Sequence, residues 1–232
     1  VTLPFQTNFH RDRYFEHLLL PTKELETEYV DGKRFYVTPT GEKYPSVTTV
    51  LSSLTKEGIT EWVERVGVEQ ANKIRTQAAT RGTKVHSICE DYIRNVDNYF
   101  SGHMPSNVMM FKQIQPYLDE HLDRVYGIEI PLYSHTLKTA GRCDLVGRLH
   151  GITSILDYKT STKPKNKEWI ENYFIQATVY AMMIEEMYGF KVPQIAIAIA
   201  VEEGDLQTFV ESSNPRREKA TQIFKQYTLN NS

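Results

Sequence analysis

Cysteine is nearly absent from the 232 residues: Cys89 and Cys143 are the only two. They are too few for a disulfide framework and lack C-x-x-C spacing, which excludes zinc fingers and cysteine-ligated clusters and fits a reducing, intracellular setting. Long hydrophobic runs are missing too. No stretch approaches the roughly 18 to 20 apolar residues of a membrane helix, so a soluble chain with no membrane partner is expected. Nor is there an excess of charge of one sign. A formal net charge of -2 excludes a generic polycation, so any surface for nucleic acid must be local. No Ser/Gly/Pro-rich linker, repeat or low-complexity tract divides the chain. With 40% hydrophobic and 24% charged residues it has an ordinary globular composition, and one domain over 1–232 is expected.

The patterns present predict a mixed α/β protein. Residues 34–38 alternate, a turn-rich PTGEK follows, and TyrProSer at 44–46 leads into a Val/Thr/Leu run, which reads as a small hairpin entering a helix. Helical spacing runs from Thr60 to about Asn98, with ThrArgGly at 80–82 expected to break it. A helix after Pro105 precedes three strand-like runs, YGIEIPLYS, GRCDLVGRL and TSILDYK. HisGly at 150–151 permits a tight reversal, so residues 141–159 read as a β-hairpin. A long helix to about Met187, a buried strand QIAIAIAVEE, its partner LQTFVES and a helix opened by Pro215 complete the order. The expected division is an N-terminal hairpin and helical segment over 1–80 and the main α/β core over 81–232.

Asp157 and Lys159 stand two apart in a strand and therefore share a face. Asp144 lies on the partner strand, where the reversal brings its carboxylate to the same end of the hairpin. Carboxylates converging in this way repel unless a cation lies between them, and oxygen ligands of this kind suit Mg²⁺ or Mn²⁺. A metal that polarises a phosphate, with a lysine to stabilise developing charge, is what phosphodiester hydrolysis requires. Alone, the D-x-K tripeptide is a weak signal that more often marks solvent-exposed strand residues. His86 is a candidate metal ligand on an earlier helix, with Glu90 one turn on as its support or as a plain i, i+4 pair. Gln176 and Tyr180 share a helix face that can reach the same hairpin.

HisSerIleCysGlu at 86–90, GlyArgCysAsp at 141–144, AspTyrLysThr at 157–160 and GlnAlaThrValTyr at 176–180 together resemble the RecB-like branch of the PD-(D/E)XK nucleases. The resemblance implies a restriction-endonuclease-like core, a mixed central sheet flanked by helices, here with an N-terminal helical extension. It also implies that His86, Asp144 and Asp157 bind metal, that Lys159 is catalytic, and that Gln176 and Tyr180 organise the site or the substrate. TyrProSerValThrThrValLeu at 44–51 and GlyThrLysValHisSer at 82–87 extend the likeness towards the mitochondrial genome maintenance exonuclease family and its phage relatives. That likeness implies metal-dependent exonuclease action on single-stranded DNA, with replication or recombination proteins as partners.

Lys163, Lys165 and Lys167 lie just beyond the catalytic strand, either approaching a DNA backbone or forming a solvated basic loop. Ser46 and Thr48 can donate to phosphate, or cap a helix. Trp169, Tyr173 and Phe174 can stack on bases, but aromatics at helical spacing more often belong to a core. Glu129 either reaches the metal or marks the polar face of a strand, since it alternates with Ile128 and Ile130. Two rival functions stand beside the single-strand exonuclease: a RecB-like nuclease acting on duplex ends, and a non-catalytic nucleic-acid-binding protein on the same scaffold. The N-terminus has neither a signal-peptide core nor an acid-free transit pattern. The expected location is the cytoplasm of a bacterial or phage-infected cell, or an organelle if a leader has been trimmed from Val1.

Overall fold

A computed structural model describes residues 13–231; the reading of the N-terminal stretch for targeting signals falls mainly on residues 1–12, outside the described part. The chain runs β1 (Glu16–His17), β2 (Glu26–Val30), β3 (Lys33–Val37), β4 (Lys43–Pro45), α1 (Val47–Ser53), α2 (Lys56–Val66), α3 (Val68–Ile93) and α4 (Pro105–His121). The second half holds β5 (Leu122–Ser134), β6 (Thr139–Leu149), β7 (Ile152–Ser161), α5 (Glu171–Tyr188), β8 (Gln194–Val201), β9 (Gln207–Ser212) and α6 (Arg217–Asn230). Six strands form one sheet in the order β1-β5-β6-β7-β8-β9, while β2, β3 and β4 form a second, small antiparallel sheet.

The β6–β7 hairpin turns where expected, because His150 and Gly151 both take positive φ, 53° and 75°, as a two-residue reversal of matching twist requires. β7 then pairs in parallel with β8, and a parallel neighbour needs a crossover, which α5 supplies. Strand β8 shows how the layers are built. Ile195, Ile197 and Ile199 pack into the cluster under α1, α5 and α6 with Phe174, Met183 and Phe224. Ala196, Ala198 and Ala200 pack on the opposite face with Ile88 and Tyr92 of α3 and Phe111 and Leu118 of α4. Both faces of the strand are thus buried, which accounts for an apolar run without polar alternation.

Three features differ from the sequence reading. Helix α3 runs unbroken through residues 80–82, so the expected boundary near residue 80 lies inside a helix; the break comes at Gly67, whose φ of 85° no ordinary helical residue adopts. Gly82 sits within the helix, where a Cβ would meet Thr160 Oγ1 of β7 only at an ordinary contact distance of 3.8 Å. The N-terminal hairpin has a third strand, β2, paired with β3. Strand β1 adds a parallel edge to β5, held by Phe15 edge-on to Tyr92 at 5.5 Å and by paired hydrogen bonds between Asn95 and the Phe15 backbone, both 2.9 Å.

A candidate metal centre between two splayed strands

Strands β6 and β7 are in register from Leu149–Ile152 to Leu145–Leu156, and there the ladder stops. One step further, Asp144 would face Asp157, but the strands have separated. The backbone N–H of Tyr158, which has lost its ladder partner on this side, donates to Asp144 Oδ2 at 2.8 Å. The opening is the floor of the site.

The rung next to it is also irregular. Glu129 of β5 lies opposite Asp144, between the pairs Ile128–Leu145 and Ile130–Cys143. Regular strands would send Ile128 and Ile130 to one face. Instead Ile128 packs against the α3/α4 cluster and Ile130 against the α5 cluster, and Leu145 and Cys143 divide in the same way. Glu129 itself has φ 49°, a left-handed conformation that is strained for a residue with a side chain. The face exchange across this rung accompanies the meeting of Glu129 and Asp144 with His86, which arrives from α3.

His86, Glu129 and Asp144 offer ligand atoms that all lie within 4.8 Å of one another. The imidazole has its tautomer set by its surroundings. Nε2 lies 2.8 Å from the Tyr158 carbonyl, which can only accept, so the proton sits on Nε2. Nδ1 then presents its lone pair towards Asp144, 3.6 Å from Oδ2, the arrangement in which an imidazole serves as a metal ligand. The carboxylates repel: burial first, then the charges of Asp144 and Glu90, push Glu129 up to about 8.

Asp157 and Lys159 project on the α5 face of β7. Asp157 is 1% exposed, and its Oδ1 has no hydrogen-bond partner among the described residues, while Oδ2 meets the Lys159 ammonium. Burial drives the Asp157 carboxyl upward against the pull of Lys159. Burial pulls the Lys159 ammonium down, but the Asp157 and Asp144 charges outweigh it and the net direction is up. The ammonium also lies 5.2 Å from the centre of the Tyr173 ring. An orphaned buried carboxylate oxygen beside a group of two further carboxylates and an imidazole nitrogen is a donor set that Mg²⁺ or Mn²⁺ fits. Asp157 lies outside the tight group of three, so the set differs from the one read in the sequence: Glu129 is in it and Asp157 stands at its margin.

Tyr180 of α5 is buried against Gly141, where a Cβ would come within 2.8 Å of its ring and hydroxyl, and it hydrogen-bonds Gln176. Glu90 does not hold His86: its carboxylate pairs with Arg94 at 2.9 Å, and the Tyr158 carbonyl orients the ring instead. Ser46 is buried and accepts from the Thr49 N–H at 3.0 Å as the cap of α1, with the exposed Thr48 beside it; neither is brought to the carboxylates. Of the basic loop, Lys163 is exposed and Lys165 half-buried, Gln207 of β9 pins the Lys165 backbone, and Lys167 is engaged with Glu211 at 2.5 Å. Phe174 is core, and Trp169 is 71% exposed.

The PD-(D/E)XK nuclease superfamily model matches residues 60–230. No curated protein matches the chain. Among solved structures, a protein from Eubacterium rectale provisionally described as an exonuclease superposes with a TM-score of 0.46 at 14% identity, over 65% of this chain and 65% of that one. A second, SSO0001, gives a TM-score of 0.40 at 7% identity, over 75% and 71% of the two chains.

Proposed function

Because the chain belongs to the PD-(D/E)XK nuclease superfamily, we propose that it is a divalent-metal-dependent exonuclease that hydrolyses phosphodiester bonds in single-stranded DNA. The observation that carries this reading is the convergence of ligand atoms of His86, Glu129 and Asp144 within 4.8 Å at the opening where β7 presents Asp157 and Lys159. His86, Glu129 and Asp144, with Asp157 at the margin, would hold Mg²⁺ or Mn²⁺, which supplies a charge that polarises the phosphoryl group and acidifies bound water. Lys159, kept protonated by its carboxylate neighbours, offers a fixed cation to the charge that grows on the phosphoryl oxygens. Asp157 holds that ammonium in place. Tyr180 and Gln176 fix the β6 backbone behind Asp144, and Lys163 and Lys165 supply charge to the backbone of an approaching strand.

Helix α2 and the first turns of α3 project from the core, with residues 72–80 all exposed. The root of this projection is fixed at the site: Arg81 donates to Thr162 at 3.3 Å and pairs with Glu202 at 3.0 Å, beside the end of β7. A helical projection rooted beside the opening offers a surface along which a single strand can lie. The likeness of residues 44–51 and 82–87 to the mitochondrial genome maintenance exonucleases points the same way.

Oligonucleotides labelled at the 5′ or the 3′ end, single-stranded and blunt duplex, incubated with Mn²⁺ or with EDTA, test the proposal. Laddered products from the single strand that vanish with EDTA are expected. Faster cleavage of the duplex, or binding indifferent to chelation with no cleavage at all, would refute it.

A further inference from the structure

The structure assigns a second contact surface for a single-stranded polynucleotide, a groove at the tip of the β5–β6 hairpin remote from the metal centre; the inference rests on the proposed single-strand activity and deepens it. Two open depressions, of about 820 Å³ and about 290 Å³, adjoin through the shared residues Lys33, Tyr227 and Asn231. Together they run between α1, α6 and the small sheet. Their lining contains no aspartate or glutamate, in a chain with 29 acidic residues. It contains three lysines, Lys33, Lys43 and Lys138. Lys43 pairs with Glu28 at 2.7 Å, whereas Lys33 and Lys138 are exposed and form no ion pair among the described residues.

The remaining lining matches the same ligand. Tyr44 and Tyr227 are half-buried rings at the groove wall, and a run of amides and hydroxyls, Gln222, Gln226 and Asn231 among them, faces the larger depression. Lysines for phosphates, aromatic faces for bases and neutral donors and acceptors between them are the parts of a sequence-tolerant single-strand groove. The position suits the enzyme. Ser46 bridges to Ala140, and Lys138 immediately precedes β6, on which Asp144 lies; roughly 20 Å of extended strand separates the two. A strand whose end is at the carboxylates can lay its distal nucleotides here, so the groove acts on long substrates and is out of reach for short ones.

The test combines Lys33→Glu and Lys138→Glu in the full chain, with Lys33→Gln and Lys138→Gln as a neutral pair should charge reversal disturb folding. Binding of single-stranded oligonucleotides of about 4 and about 30 nucleotides is measured by anisotropy over a range of salt, and cleavage of both by wild type and variants is measured alongside. Expected are about tenfold weaker binding of the long strand, a salt slope lower by about 2, and unchanged cleavage of the short one. An unchanged affinity and slope for the long strand, with wild type cutting both, would overturn the groove alone. Wild type cutting neither would overturn the proposed function and the groove with it. Displacement of the long strand by polyglutamate of equal charge as readily as by DNA would also overturn a nucleic-acid occupant.

Discussion

Glu129 bears two costs at one position. Its backbone has φ 49°, which for a side-chain-bearing residue costs on the order of 1–3 kcal/mol, and its half-buried carboxylate meets the charge of Asp144. Both persist because β5 is held on each side by the pairs Ile128–Leu145 and Ile130–Cys143. A bound cation would turn the second cost into a gain. Glu129→Gln should therefore raise the melting temperature of the metal-free protein and weaken Mn²⁺ binding by about tenfold or more; calorimetry with and without Mn²⁺ measures both. Lys159→Met should lower kcat by about a hundredfold or more with single-strand affinity retained, and turnover near the wild-type rate would remove Lys159 from the chemistry. Asp157, Lys159 and the shared face of the two were legible, because strand alternation holds along β7. Glu129 was legible only as one of two alternatives: its neighbours Ile128 and Ile130 imitate an ordinary strand, and the exchange of faces, a consequence of how three elements meet, turns it inward.

Among the elements, one contact lies beside the site and a second fastens the helices behind it. Helix α5 approaches β6 closely because Gly141 leaves room for the Tyr180 ring. Gly141→Ala should displace that ring and lower kcat several-fold while costing about 1–3 kcal/mol of stability, read from urea unfolding and single-turnover rates. Helix α6 is fastened to α5 through Glu185, whose carboxylate accepts two bonds from Arg217, both 2.8 Å, and one from the Val192 N–H at 2.9 Å. Burial pushes this carboxyl up, but these partners prevail and hold it down at about 2. The native state then binds fewer protons than the unfolded chain below the ordinary carboxylate range. The stabilisation is complete above pH ~4.3 and is lost as pH falls towards 2. Glu185→Gln should lower stability by about 2 kcal/mol at pH 7, and the gap should close in acid; a gap independent of pH would show that the ion pair does not fasten the helices. The β6–β7 hairpin was legible from HisGly. The helix break was misplaced because Gly82 looks like a stop, although it lies inside α3 and the positive φ falls at Gly67.

For the whole molecule, a net charge of -2 coexists with local basic surfaces. Lys163 and Lys165 lie beyond β7, and Lys33 and Lys138 lie in an acid-free groove at the far end of β6. Lys163→Ala with Lys165→Ala should raise KM for a single strand several-fold with kcat unchanged, and the effect should shrink as salt rises. Among the described residues no helix is long and apolar enough to cross a membrane. We propose that the opening between β6 and β7 is a divalent-cation site. Titration calorimetry of Mn²⁺ into the wild-type chain and into Asp144→Asn tests it most directly. Saturable binding by wild type, weakened by about tenfold or more in the variant, is predicted. Equal binding by the two, or no binding by wild type, would rule the site out.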